Sequence, residues 1–153
     1  MITIWSYLAV FFLAAVPIIE VKGAIPLGLS LGIPQLQCFI LAIIGAMIFT
    51  PLIILLTRRV LIWCMNSKVK FLSRFGHWQH ERLLKKGGKF LKYRDWFLFL
   101  FVAIPLPTTG CWTGSMLAGL FEIPLKRALP IIFLGNIVAS VLVWLIWGFA
   151  TSL

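Results

Sequence analysis

The sequence predicts an all-α integral membrane protein: an inverted repeat of two halves, each a re-entrant helical hairpin plus a spanning helix, with a cytoplasmic amphipathic basic helix between them. Of its 153 residues, 61% are hydrophobic and only 12% are charged, whereas roughly 25% of a soluble domain is charged. Long uncharged stretches are interrupted by proline and glycine, and most basic residues share one segment. We expect a single membrane domain, 1–153, divided into a first half (1–57), a basic connector (58–94) and a second half (95–153).

The distribution of charge argues for a membrane protein rather than a nucleic-acid-binding one. The net charge is +10, and eleven of the fourteen basic residues lie between Arg58 and Arg94. A nucleic-acid-binding domain carries such residues on a folded soluble surface. Here they lie between hydrophobic blocks, as in the cytoplasmic loops of multi-pass proteins. We therefore expect no nucleic-acid partner and a cytoplasmic central loop.

Two uncharged stretches are suited to spanning helices, and two others are not. A spanning helix needs about 20 mainly apolar residues, which Cys38–Leu56 and Pro130–Phe149 provide. The regions 4–34 and 94–124 are broken by proline and glycine, which disfavour a continuous helix. Each arm of a broken region has about 12–15 residues, too few to cross alone, which favours re-entrant hairpins. The alternative is a full crossing with a kink.

An offset of 90 residues aligns the two halves of the chain. The pairs that carry the match are Pro17 with Pro107, Pro34 with Pro124, and Gly45 with Gly135. Because the connector at 58–94 is expected inside, the two broken regions would enter from opposite faces, with their tips near the bilayer midplane. This arrangement is typical of secondary transporters with inverted repeats.

The tips of the two broken regions are candidate sites for an anion. The second arms should begin near Gly23 and Gly110, and a helix start offers unpaired N–H groups and partial positive charge. Lys22 would add a full positive charge. Hydroxyl donors would come from Thr108, Thr109 and Thr113.

Glu20 and Lys22 are the only charged residues before Arg58. Ionisable groups inside a membrane are costly and are usually functional, so we interpret Glu20 as a proton-binding carboxylate and Lys22 as a contact for an anionic head group. The alternative is a simple pair at a shallow interface. Asn136 either joins the site or forms a helix–helix hydrogen bond. The predicted substrate-binding or proton-coupling residues are Glu20, Lys22, Gly23, Pro26, Pro107, Thr108, Thr109, Gly110, Thr113 and Asn136.

The sequence carries no pattern of catalysis or metal binding. No nucleophile–base pair, phosphate-binding loop or metalloprotease motif occurs, so we expect no enzyme, no catalytic residue and no cofactor. The three cysteines are irregularly spaced, and His77 and His80 have no third ligand at a suitable spacing. Between Asn66 and Arg94, apolar and basic residues alternate with helical periodicity. Such a helix would lie on anionic lipid at the inner membrane surface.

Two segments resemble a known family. Residues 20–26, Glu-Val-Lys-Gly-Ala-Ile-Pro, resemble the Glu-Xaa-Arg/Lys-Gly-Ala-Ile-Pro signature of the bacterial small multi-drug export protein family. Residues 105–114 resemble its Pro-Leu-Pro-Xaa-Thr-Gly-Ala-Trp-Thr-Gly segment, with Cys111 where alanine is common. The resemblance implies a multi-pass protein of the bacterial cytoplasmic (inner) membrane. The family is also distantly similar to the DedA/VTT proteins, which are described with paired re-entrant hairpins and of which some move lipid carriers.

Three functions are compatible with these features. The first is a small transporter or lipid translocase, proton-coupled through Glu20, that moves an amphiphile with an anionic head group such as a polyprenyl phosphate. The second is an exporter of cationic hydrophobic compounds, which needs Glu20 free of Lys22. The third is a non-transporting membrane scaffold that works through the basic helix. Expected partners are membrane lipid, anionic lipid at the basic helix, the amphiphilic substrate and a second copy of the chain in a homodimer.

Overall fold

The computed structural model describes residues 4–66, 74, 78, 81, 88–106 and 109–152, with the backbone alone at 88–92 and 151–152. Over these residues the chain is helical, without β-strands, which confirms the predicted all-α class. The helices are α1 (Ile4–Ala15), α2 (Glu20–Ser30), α3 (Gln35–Met47), α4 (Thr50–Met65), α5 (Gly88–Ala103), α6 (Cys111–Leu120) and α7 (Leu125–Ser152).

Two helical stretches are long and apolar enough to cross a bilayer. The first, Gln35–Met65, has 31 residues and joins α3 to α4 through a turn just before Pro51, and the second, Leu125–Ala150, has 26 residues and lies in α7. They contain both predicted spans. The helix that contains the second predicted span begins earlier, at Leu125, so that Pro130 lies inside α7. A proline close to a helix start removes only one backbone hydrogen bond.

Both predicted breaks occur, with one difference in position. The chain turns between Ala15 and Glu20, where Pro17 lies, and the described residues between Ala103 and Cys111 (104–106 and 109–110) are not helical. The second arm of the first region was predicted near Gly23, with Pro26 as part of the break. Both expectations were wrong: α2 begins at Glu20 and continues through Pro26. Close packing of its buried residues offsets the hydrogen bond that Pro26 cannot donate.

The helices of the two halves pack across each other. α1 and α2 pack together and against α3, and α5 packs against α7. In addition α2 lies against α7 of the second half, and α6 lies against α4 of the first half. The core between them consists mainly of small side chains and aliphatic ones, whereas large apolar side chains such as Leu36, Leu52 and Phe149 are exposed. An apolar outer surface suits a chain that contacts lipid.

The turns that precede the two spans have equivalent hydrogen bonds. The amide of Ile33 donates to the carbonyl oxygen of Gly28 at 3.0 Å, and that of Ile123 donates to Ala118 at 2.9 Å. These two pairs are 90 residues apart. One residue in each turn has a left-handed backbone conformation: Gly32 in the first turn (φ 81°) and Glu122 in the second (φ 53°).

The basic connector is described only at isolated positions between Asn66 and Gly88. Arg74, Trp78 and Glu81 are helical and exposed. The other residues of the predicted amphipathic helix, including His77 and His80, lie outside the described residues.

Candidate functional site

The two broken regions meet at Glu20, the first residue of α2. Its side chain is buried, with 4% of the residue exposed, and its Oε1 accepts a hydrogen bond from the backbone N–H of Trp112 at 3.0 Å. Trp112 lies in the first turn of α6. Backbone amides in the first turn of a helix have no acceptor within the helix, and the carboxylate of Glu20 accepts from one of them. It also places a negative charge at the positive end of the α6 dipole.

Gly110 allows the carboxylate to come this close. It is the residue before α6, and a Cβ atom built on it would lie 1.7 Å from Oε2 of Glu20. Any larger residue at position 110 would occupy the space that the carboxylate fills. The glycine at position 110 therefore leaves the space that the carboxylate of Glu20 fills.

Lys22 holds the irregular segment that precedes α6. Its Nζ donates to the carbonyl oxygens of Leu106 and Thr109 and lies 3.9 Å from Oε2 of Glu20. These carbonyls lie outside the helices, so they need hydrogen-bond partners other than those of a helix. Lys22 thus stabilises the break and balances the charge of Glu20.

Three further hydrogen bonds order the same region. The hydroxyl of Thr109 donates to the carbonyl oxygen of Ile104 at 2.6 Å and accepts from the amide of Leu106 at 3.2 Å. The indole Nε1 of Trp112 donates to the carbonyl oxygen of Ala15 at 3.1 Å, at the end of α1. Residues at each break therefore donate hydrogen bonds to residues at the other break.

The predicted site residues other than Asn136 divide into three groups. Glu20, Lys22, Thr109 and Gly110 come together. Thr113 is half-buried in the first turn of α6, while Gly23 and Pro26 lie within α2. Pro107 and Thr108 lie outside the described residues.

Asn136 is deep inside the protein. It lies in α7, is 2% exposed, and its Nδ2 has no hydrogen-bond partner among the described residues. A buried amide without a partner is costly, so this position has unused donor capacity in the core.

The candidate anion site is occupied by the protein itself. The sequence predicted open N–H groups at the starts of α2 and α6, with Lys22 free to contact an anion. In the structure, Glu20 lies before α6, Lys22 contacts two carbonyls, and the amides of Glu20 and Gly23 donate within the preceding turn, to Val16 and Ile19. Sequence reasoning missed Ala15 and Leu106, which act through backbone carbonyls and so leave no side-chain signal, and Trp112, which acts through its amide and its indole.

Comparison with known proteins identifies the family. Residues 20–142 match the family described as "Putative small multi-drug export protein", a stretch that begins at Glu20 and covers most of the chain. No curated protein and no solved structure gave a match. Together with two helices long enough to span a bilayer, the match makes this a membrane protein of an export family rather than of an enzyme family. The chain belongs to the small multi-drug export protein family.

Proposed function

We propose that this chain is a proton-coupled membrane transporter that moves an amphiphile with an anionic head group, such as a polyprenyl phosphate. One observation carries the proposal: the carboxylate of Glu20 lies at the start of α6 and accepts the N–H of Trp112. Helix starts are favourable sites for phosphate and carboxylate groups. Glu20 therefore occupies the place that an anionic head group would take.

Protonation of Glu20 supplies the coupling in this proposal. A neutral carboxyl group loses its charge–dipole attraction to the start of α6 and its attraction to Lys22. The head group then replaces Glu20 at α6, and Lys22 moves from the carbonyls of Leu106 and Thr109 to the phosphate. Re-ionisation of Glu20 expels the head group by repulsion. Thr113 and the amide of Asn136, whose Nδ2 has no partner among the described residues, are further residues that could contact the substrate.

The proposed architecture is an inverted repeat with two re-entrant hairpins. Several features support it: the equivalent turns at Ile33 and Ile123, the break in each half, and the short arms. α2 has 11 residues and α6 has 10, so each rises only about 15–17 Å against a hydrocarbon core of about 30 Å. In the same proposal, the fold is similar to that of the DedA/VTT proteins and the chain lies in the inner membrane. The basic connector is cytoplasmic, and two copies of the chain form a homodimer.

A second candidate is export of cationic hydrophobic compounds. The family description favours it, and the buried carboxylate of Glu20 is a suitable counter-ion. A cation would have to replace Lys22 beside Glu20, which lies 3.9 Å away. The third candidate, a scaffold that acts through the basic helix, depends on residues that lie mostly outside the described part of the chain.

Thermal stabilisation of the purified full-length protein in a neutral detergent distinguishes these candidates. A ligand that binds only the folded state raises the unfolding temperature. The ligands are undecaprenyl phosphate and the cationic dye ethidium, and the variants are wild type, Glu20→Gln and Lys22→Gln. Glu20→Gln imitates the protonated carboxyl group, so we expect it to bind the lipid phosphate more tightly than wild type. Lys22→Gln should lose the stabilisation.

The same variants are then assayed for transport in proteoliposomes. In the first proposal either substitution abolishes transport, because each removes one partner of the exchange. Stabilisation by ethidium alone, with Glu20→Gln more harmful than Lys22→Gln, would overturn the anionic substrate in favour of cation export. Normal function of both variants, together with its loss on deletion of the basic segment, would favour the scaffold.

A further inference from the structure

A separate cavity lies at the end of α4, away from the Glu20 site. Its volume is about 390 Å³, within the range of about 300–1,000 Å³ of small-molecule sites. Among the described residues its lining is Arg58, Leu61, Ile62, Met65, Asn66 and Glu122. None of these residues takes part in the contact between Glu20, Lys22 and α6.

The guanidinium of Arg58 has a donor that the described residues leave unused. One terminal nitrogen donates to the carbonyl oxygen of Ile123, in the turn between α6 and α7. Its Nε is buried and has no hydrogen-bond partner among the described residues. A buried donor without an acceptor costs free energy, and guanidinium suits phosphate because it presents several N–H groups in one plane. Arg58 therefore brings to the wall of the cavity a guanidinium that still has donor capacity among the described residues.

Glu122 places a carboxylate on the same cavity. Its backbone has φ 53°, a left-handed conformation that is unfavourable for residues other than glycine, and the equivalent residue of the other half is Gly32. A carboxylate has about four acceptor positions, so it can accept an ammonium group in addition to contacts within the protein. With the amide of Asn66, the cavity offers a cation, an anion and a neutral polar group.

The position of the cavity along the chain suits lipid head groups. The apolar stretch that begins at Gln35 is long enough to cross a bilayer, and the residues from Gln35 to Arg58 would rise about 35 Å as one straight helix, against a hydrocarbon thickness of about 30 Å. Leu61, Ile62 and Met65 form an apolar wall next to the polar groups. A ligand here would have a charged end and an apolar continuation.

We propose that this cavity binds the head group of a zwitterionic aminophospholipid, of which phosphatidylethanolamine is the simplest example. The phosphate accepts from Arg58 and Asn66, and the primary ammonium donates to Glu122. An anionic phospholipid without an amine would bring its negative charge next to Glu122 and would have no ammonium group to donate to that carboxylate. Phosphatidylcholine has no N–H to donate. The lipid site is independent of the transported substrate.

The test uses the purified full-length protein in neutral detergent with soluble short-chain lipids. Apparent affinity is read from the rise of the unfolding temperature with lipid concentration, for phosphatidylethanolamine, phosphatidylglycerol, phosphatidylcholine and inorganic phosphate. The wild type should prefer phosphatidylethanolamine. Arg58→Gln should weaken binding by about tenfold or more, the scale of one charged hydrogen bond, whereas Arg59→Gln, at the neighbouring exposed position that does not line the cavity, should not.

Glu122→Gly keeps the test decisive if Arg58→Gln folds poorly. Glycine relieves the unfavourable backbone conformation at position 122, which offsets the loss of the contacts that the carboxylate makes within the protein, so this variant should fold and yet lose the preference for phosphatidylethanolamine over phosphatidylglycerol. Retention of that preference would overturn the proposal. Equal loss in Arg59→Gln, equal binding of all three lipids by wild type, or equal stabilisation by inorganic phosphate would also overturn it.

Discussion

Glu20 and Trp112 are 92 residues apart in sequence, and the side chain of the first accepts the backbone N–H of the second at 3.0 Å. This bond joins the start of α2 to the start of α6, and Lys22 reinforces it by contacting the segment before α6. Hydrogen bonds between the two breaks therefore hold them together as one structural unit.

Glu20 and Lys22 should be strongly coupled in stability. Removal of one partner of a buried ion pair typically costs about 3–5 kcal/mol because the other charge stays buried alone. We expect Lys22→Gln to be the most harmful single change here, and Glu20→Gln to be milder since its amide oxygen still accepts from Trp112. The double variant, with both Glu20→Gln and Lys22→Gln, should lose less free energy of unfolding than the two single variants lose together. Denaturant unfolding in detergent gives the double-mutant cycle, and additive effects would contradict the pairing.

Gly110→Ala should displace the carboxylate of Glu20. The added methyl group would overlap Oε2, and overpacking of this kind costs about 1–3 kcal/mol, or several degrees in the unfolding temperature. The loss should shrink in a Glu20→Ala background, where the methyl group has space. An equal loss in both backgrounds would mean that Gly110 is required for another reason.

Gly45→Ala should loosen the contact between α1 and α3. A Cβ atom at Gly45 would lie 2.4 Å from the backbone oxygen of Phe11, and a backbone atom cannot move aside as a side chain can. The control is Gly148→Ala, because nothing lies within 4 Å of a Cβ at that position. Thermal unfolding should show a drop of several degrees for Gly45→Ala, and no drop for the control. Equal behaviour would argue against this helix packing.

Gly32 and Glu122 should respond to substitution in opposite directions. Both have positive φ in equivalent turns, and the left-handed conformation costs about 1–2 kcal/mol for a residue with a Cβ. Gly32→Ala should therefore destabilise the protein by about that amount, while Glu122→Gly should leave the unfolding temperature unchanged or raise it. A clear loss of stability in Glu122→Gly would indicate that the carboxylate is required for folding.

Cys64 should report the orientation of the chain. Cys38 and Cys111 are buried, whereas Cys64, near the end of α4, is half-buried. A membrane-impermeant thiol reagent should label Cys64 in inside-out vesicles and not in intact cells if the basic connector is cytoplasmic. Cys64→Ser should remove the label. Labelling from outside in intact cells would reverse the predicted orientation.

What could be predicted from the sequence depended on local physics. An uncharged run such as Cys38–Leu56 has to be helical in lipid, because every backbone group needs a partner within the segment. Pro17 and the glycine and proline residues around Gly110 likewise marked the breaks. The local rule failed at Pro26, which lies inside α2, because a proline removes only one backbone hydrogen bond of the helix and the residues around it are buried in the core.

The amino-acid sequence alone determined the membrane class, the two spans, the breaks, and the pair of charges at Glu20 and Lys22. Only the tertiary structure decided what those charges contact. Glu20 reaches an amide of α6, and Lys22 reaches the carbonyls of Leu106 and Thr109. Backbone groups are chemically the same at every residue, so no sequence pattern identifies which of them will lie opposite a charge. The physical reason is that the folding of the two halves against each other brings residues about ninety positions apart into hydrogen-bond distance.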